Sequence, residues 1–377
     1  MLLSCGEASG DLYAGALTRE LLGLDPSLTI SGIGGPQFAA AGGRLLADYR
    51  DLAVTGLTEA IPKIPHFLAT RRAIVSAARA ARPDVLVVID APDLNFRIAP
   101  AIRRLGIPVV YYIGPQIWAW RQGRLKTMRA FVDRMLVIFP FEVAIYQDGG
   151  VPVEFVGHPL IDLARPACGR HQFLSAHGLR PSAPTVAMLP GSRPNEVHRI
   201  LPDLVAGADR IRALVPGVQF VVARAPRLDD ALFDSARAGG PIVMVEGETD
   251  TVLASADVAL TASGTATVQA ALHDVPMVIV YRTSWLTYHL ARRLVRVDAI
   301  GMVNLVAGEP IVPELIQDAF TPDRVAREAA SMLTDGDRSV RIREGLARVR
   351  ARLGGPGASR RAAEAILRVA ATHTREN

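Results

Sequence analysis

Four short segments of this chain gather glycine, hydroxyl, carboxylate and guanidinium groups in patterns that bind phosphate or move a proton. Glycines and small side chains let backbone N–H groups approach an anion, and a helix starting there adds the positive end of its dipole. In Ser4-Cys5-Gly6-Glu7-Ala8-Ser9-Gly10-Asp11 two carboxylates sit among small residues, without the G-x-G-x-x-G spacing of a dinucleotide loop. Glu7, Ser9 and Asp11 fit either a ligand-facing loop or a tight turn in which Asp11 caps the next helix. In Val88-Ile89-Asp90-Ala91-Pro92-Asp93-Leu94-Asn95 an acidic residue closes an apolar run and Pro92 forces a turn. Asp93 is the better cap and Asp90 the better general base, although a cap at Asp90 would explain the pattern too. Leu189-Pro190-Gly191-Ser192-Arg193 precedes Asn195-Glu196-Val197 at the head of a helix. Gly191 and Ser192 can expose backbone donors, and Arg193 supplies a fork suited to a diphosphate; a plain surface turn is the alternative. The strongest signal is Thr261–Thr267, where Ser263, Gly264, Thr265 and Ala266 open a helix directly after a strand, as a diphosphate site or an ordinary cap.

Two further features are open in the same way. Tyr111–Arg121, with Trp118 and Trp120, concentrates aromatics in a chain that is 6% aromatic, and fits a sugar or acyl site as well as helix packing. His158, in Gly157-His158-Pro159, fits a catalytic or a structural histidine between domains. No Ser-His-Asp set, H-E-x-x-H, paired-cysteine motif or Walker A sequence is present, which argues against hydrolase, zinc and P-loop chemistry.

These loops need strands and helices to hold them. Short apolar runs at Met1–Cys5, Thr29–Ile33, Val85–Ile89, Val109–Ile113, Met135–Ile138 and Val153–Val156 alternate with helical periodicity at Gly10–Leu24, Leu68–Ala81, Asn95–Leu105 and Phe141–Gln147. That is the form of a parallel sheet covered by helices. The alternation breaks from Gly157 to Pro184. It restarts with strands at Val186–Leu189, Gln219–Val222, Ile242–Val245, Val258–Leu260 and Met277–Val280. The expectation is α/β with two Rossmann-like doubly wound domains, residues 1–165 and 166–350. A terminal helix in 351–377, after the break at Gly354–Gly357, is expected to pack back on the first domain.

A chain of 377 residues that is half apolar suits two such cores. Cys5 and Cys168 lack metal-ligand spacing and fit a reducing, cytoplasmic setting. No export signal and no run of about 18 apolar residues is expected to anchor it. Lys63 and Lys126 are the only lysines among 42 basic residues, so the net charge of +5 is carried by arginine. By itself that charge fits nucleic acid, anionic lipid or a phosphorylated substrate.

Taken in order, Gly6–Asp11, Ile89-Asp90-Ala91-Pro92-Asp93, Trp118-Ala119-Trp120-Arg121, Phe139-Pro140-Phe141-Glu142, Gly157-His158-Pro159, Leu189–Arg193 and Ser263-Gly264-Thr265-Ala266-Thr267 resemble the lipid-A-disaccharide synthase family from residue 1 to about 320. The resemblance implies a GT-B fold, with the two domains facing each other across a cleft. It implies transfer of 2,3-diacylglucosamine from its UDP derivative to 2,3-diacylglucosamine 1-phosphate in the lipid A pathway of Gram-negative envelopes. The partners implied are UDP-diacylglucosamine, diacylglucosamine 1-phosphate and the inner-membrane surface, with no nucleic acid, no cofactor and no metal. Asp90 matches the family's strand-end aspartate and takes the role of base, with His158 also in the catalytic set. Arg193 matches the arginine that meets the diphosphate, together with Gly191, Ser192 and Ser263–Ala266. The family's ribose-binding glutamate is replaced by Gln269, a neutral partner for a diol. Glu7, Ser9, Asp11, Trp118 and Asn304 are expected on the acceptor side, Asn304 within one chain or reaching across a homodimer. Ile61–Leu68 and Trp285–Arg296 have the composition of interfacial patches for a peripheral membrane protein, although a buried loop covering the core explains Ile61–Leu68 nearly as well. Another GT-B transferase or a UDP-sugar epimerase is the rival reading, since its nucleotide-binding half would look similar.

Overall fold

The computed structural model describes residues 1–52, 57–115, 123–283 and 299–376. Trp118 with the rest of 116–122, and the whole Trp285–Arg296 segment, lie outside the described residues, as do the side chains of 61–66. The chain divides into two compact units, Met1–Pro159 with Leu353–Asn377, and Leu160–Arg352.

The first unit is built on seven parallel strands: β1 (Leu2–Cys5), β2 (Ser31–Gly34), β3 (Arg44–Asp48), β4 (Leu86–Ile89), β5 (Val109–Tyr112), β6 (Arg134–Val137) and β7 (Val153–Phe155), in the order β3-β2-β1-β4-β5-β6-β7. β1, β4 and β5 are buried throughout, which is why they read as unbroken apolar runs. β3 was not expected from sequence. It is the edge strand, exposed over Arg44-Leu45-Leu46, so it lacks the buried run that marks the others.

The chain leaves this sheet after β7 and returns at Leu353. The His158 backbone N–H donates to the Leu353 carbonyl (2.8 Å), and Arg361 Nε donates to the Val156 carbonyl (2.8 Å). The helix Ala358–Glu376 then packs along the helix Ala8–Leu24.

The second unit has six parallel strands: β8 (Thr185–Leu189), β9 (Gln219–Arg224), β10 (Ile242–Glu246), β11 (Val258–Ala262), β12 (Met277–Tyr281) and β13 (Glu314–Ile316), in the order β10-β9-β8-β11-β12-β13. The helix Pro194–Leu214 buries Val197, Ile200, Leu201, Leu204, Ala208 and Ile211, the i, i+3, i+4 spacing of one helical face. It lies against the helix Pro322–Thr334. β13, three residues long at the other edge, was also missed by pattern.

In each unit the strand order reverses once, between β1 and β4 and between β8 and β11. Ligands of such sheets gather at that switch point, outside the carboxyl ends of the strands.

Candidate active site

The four segments singled out by residue type form two pairs, one at each switch point. In the first unit, Cys5 is in register with Ile89, so the Gly6–Ser9 loop and the Asp90–Pro92 turn leave adjacent strands side by side. A Cβ on Gly6 would come within 2.6 Å of the Ala91 Cβ; only glycine permits that approach. Glu7 is exposed and Ser9 and Asp90 half-buried at this edge.

Asp90 (φ 43°) and Ala91 (φ 44°) are both left-handed, and Ile113 (φ 64°) at the end of β5 is too. Each such non-glycine residue costs on the order of 1–3 kcal/mol. Three buried side chains hold the turn. Asn95 Nδ2 donates to the carbonyls of Ile89 (3.2 Å) and Asp90 (2.7 Å), Tyr111 Oη donates to the Asp90 carbonyl (2.7 Å), and Ser4 Oγ donates to Asn95 Oδ1 (2.8 Å). At about 1 kcal/mol per bond the network offsets a substantial part of the strain. Burial, and then the charge of Asp90, push the Tyr111 phenol well above its usual value, so it stays a donor.

Two predicted site residues of this unit are buried within it. Asp11 is 2% exposed and its carboxylate accepts from the backbone N–H groups of Gly35 (2.7 Å), Gln37 (3.0 Å) and Phe38 (3.0 Å). It caps the Pro36–Ala40 helix, not its own. His158 is 2% exposed, packed edge-on to Tyr13 and against Phe139. Burial lowers its value to about 3, so the imidazole is neutral at physiological pH.

In the second unit, Leu189 is in register with Thr261, so Pro190–Arg193 and Ser263–Thr265 leave neighbouring strands together. Gly191 (φ 122°) must be glycine on two counts, its backbone and the Glu196 carboxylate, which lies 2.5 Å from where a Cβ would be. Glu196 Oε2 accepts from the N–H groups of Ser192 (3.1 Å) and Arg193 (3.3 Å), and its Oε1 meets Arg193 Nη1 (3.2 Å). The Ser192 amide expected to meet phosphate is thus occupied by an internal carboxylate. The Arg193 side chain, 52% exposed, is the cationic group the turn presents.

Burial and the Glu196 charge raise the phenol of Tyr281, at the end of β12, while Arg193 opposes them; Tyr281 therefore lies within electrostatic reach of the same pair. The Thr265–Leu272 helix opens with Gly264 half-buried and Thr265 exposed, and Thr267 Oγ1 donates to the Gly264 carbonyl (2.7 Å). Ser263 Oγ donates to the Ile300 carbonyl (3.2 Å). Ala266 lies in the first turn of this helix.

Gln269 is one turn further on, its Nε2 donating to Asp250 Oδ1 (3.1 Å), which also contacts His273 Nε2 (2.9 Å). Asn304 is 3% exposed and fully used inside the fold: Nδ2 donates to the Val312 carbonyl and Glu314, and Oδ1 accepts from the Val312 N–H. It braces the Gly301–Glu314 segment onto β13. Among the described residues no cluster of three His, Cys, Asp or Glu side chains is arranged to hold a metal, and no helix is long and apolar enough to cross a membrane.

Residue types alone did not single out Asn95 or Glu196. Each had a signal, a polar residue on the apolar face of a helix and a glutamate at the third position of a helix after a glycine turn.

Two doubly wound parallel sheets, each with a loop pair at its switch point, define the GT-B class. The solved kitacinnamycin glycotransferase covers 98% of this chain and 98% of its own at TM-score 0.61 and 18% identity, and the calicheamicin glycosyltransferase matches at TM-score 0.59 and 18%, covering 97% of each. The UDP-GlcNAc 2-epimerase of Neisseria meningitidis shares this architecture at TM-score 0.66 and 11% identity, covering 97% of this chain and 98% of its own, so the fold alone does not separate transferase from epimerase.

Sequence makes that separation: the chain belongs to the lipid-A-disaccharide synthetase family, whose model matches residues 1–369. The lipid-A-disaccharide synthase of Anaeromyxobacter sp. (strain K) is 45% identical over 98% of this chain and 97% of its own length. That of Myxococcus xanthus is 42% identical over 97% and 96%. The protein is accordingly a glycosyl-transferring enzyme of lipid A biosynthesis.

Proposed function

We propose that this enzyme transfers 2,3-diacylglucosamine from its UDP derivative to the 6-hydroxyl of 2,3-diacylglucosamine 1-phosphate, giving UDP and a β-1,6-linked disaccharide 1-phosphate. The observation that carries the reading is the family match over residues 1–369, which spans both loop pairs. An α-linked donor and a β-linked product require inversion, hence a single in-line displacement.

In this reading the Asp90 carboxylate takes the proton from the acceptor hydroxyl as that oxygen attacks the anomeric carbon, and Glu7 and Ser9 flank the acceptor. Arg193 and the N-terminal end of the Thr265–Leu272 helix stabilise the charge on departing UDP, in place of a divalent ion. Gln269, its amide nitrogen engaged by Asp250, offers its carbonyl oxygen to a ribose hydroxyl. Work at the inner-membrane surface belongs to the same reading, which the apolar Ile61–Leu68 segment with Arg71 and Arg72 beside it in the sequence suits by composition.

The test is acceptor-dependent UDP release from purified protein given both lipid substrates, with mass analysis of the product and a parallel reaction in EDTA. A disaccharide monophosphate formed only with both substrates, in EDTA as well, is expected. Conversion of the UDP-sugar without acceptor would sink the proposal.

A further inference from the structure

We propose that Tyr111 and Asn95 are positioning residues for the reaction, a clamp on the Asp90 carbonyl that keeps the Asp90–Ala91 turn in its left-handed form and so places the Asp90 carboxylate. The inference rests on the reading of Asp90 as the base. Its observations are independent of that reading. The Asp90 carbonyl accepts from two buried side chains on different elements, Tyr111 on β5 and Asn95 on the Pro92–Arg103 helix, each at 2.7 Å. Ser4 on β1 fixes the Asn95 amide from its other end at 2.8 Å, and all three clamp residues are 0% exposed. The Asp90 N–H is held as well, by the carbonyls of Tyr112 (3.3 Å) and Ile113 (3.2 Å).

A helix cap needs none of this; an ordinary strand end would turn through glycine. Here two consecutive non-glycine residues take left-handed backbone where the sheet meets the loop, and a residue that also bears the carboxylate is the one gripped at both of its peptide groups. With the carbonyl turned inward and the backbone over-determined, Asp90 has little freedom beyond its own side-chain rotations. Proton transfer from a hydroxyl works only within about 2.6–3.2 Å, and a displacement of about 1 Å costs on the order of a hundredfold in rate. A rigid mount for a short, two-bond side chain is what that requirement calls for.

The experiment uses the full-length protein and three changes. Tyr111→Phe removes one donor and keeps the ring, and is expected to lower kcat by about ten- to a hundredfold while donor KM and UDP affinity stay within about twofold. Adding Ala91→Gly, which lets that residue take the left-handed backbone without the clamp, should recover much of the lost kcat. Asp90→Asn is the control for the underlying reading. If it remains active, the reading of Asp90 as base fails and the inference falls with it. If Asp90→Asn is inactive while Tyr111→Phe turns over like the unmodified enzyme, the clamp alone is overturned. A parallel fall in kcat, UDP affinity and melting temperature without rescue by Ala91→Gly means a structural role only, and overturns it too.

Discussion

The two switch points hold their polar groups in opposite ways. In the first unit the Asp90 turn is gripped by buried side chains from two elements, one of them braced by Ser4 on a third, and is strained at consecutive residues. In the second, the Arg193 side chain meets Glu196, three residues along the same chain, and is half exposed. The difference follows the chemistry proposed for each. A base acts only at hydrogen-bond distance, so position decides its rate. A diphosphate is held by charge, which acts over a longer range, and a long guanidinium side chain can follow it as it departs.

The sharpest way to break this comparison is Asp90→Asn. Turnover is expected to fall by about 10²–10⁴-fold with UDP affinity preserved, measured by initial rates and titration calorimetry. Residual activity near that of the unmodified enzyme would end the assignment. Arg193→Ala should cost about 10²–10³ in kcat/KM and weaken UDP binding as well. Arg193→Lys should recover part of that, because charge survives and the planar fork does not. Equal UDP affinity in all three proteins would remove Arg193 from the donor site.

Glu196→Gln tests the second mount more gently. The isostere keeps an acceptor for the Ser192 and Arg193 amides but loses the ion pair, and donor KM is expected to rise about three- to tenfold at nearly constant kcat. A large loss of kcat would mean that both units position their groups with equal strictness.

The smallest effect on activity, visible instead in stability, concerns His158. Its folded value of about 3 lies below the usual 6.5, so the unfolded chain binds the extra proton between those limits. The associated stability is complete above about pH 6.5 and is lost as pH falls toward 3, by on the order of a few kcal/mol. Melting temperatures of His158→Gln should therefore fall less steeply on acidification than those of the unmodified protein; identical slopes would contradict a buried neutral imidazole.

Much of the architecture was legible because strands buried on both faces, such as Leu86–Ile89 and Thr185–Leu189, leave continuous apolar runs in the sequence. Arg44–Asp48 and Glu314–Ile316 were not, because edge strands lie partly open and need no such run. The loops at the switch points were legible for a related reason: glycine and small residues at a strand end are a local requirement of backbone approach, and Gly6 and Gly191 show it. The sequence by itself thus determined the two α/β units, the segments that reach their ligand-bearing edges and, through ordered motifs, the family.

What each polar residue does at those edges was decided by tertiary structure. Asp11 finds its partners at Gly35, Gln37 and Phe38, Asn304 at Val312 and Glu314, His158 among Tyr13, Phe139 and the returning chain at Leu353. Ser4, Asn95 and Tyr111 converge on one turn from three separate stretches of chain. A buried polar group must be satisfied by whatever donor or acceptor the fold brings to it, and a partner far along the chain leaves no mark on the local pattern.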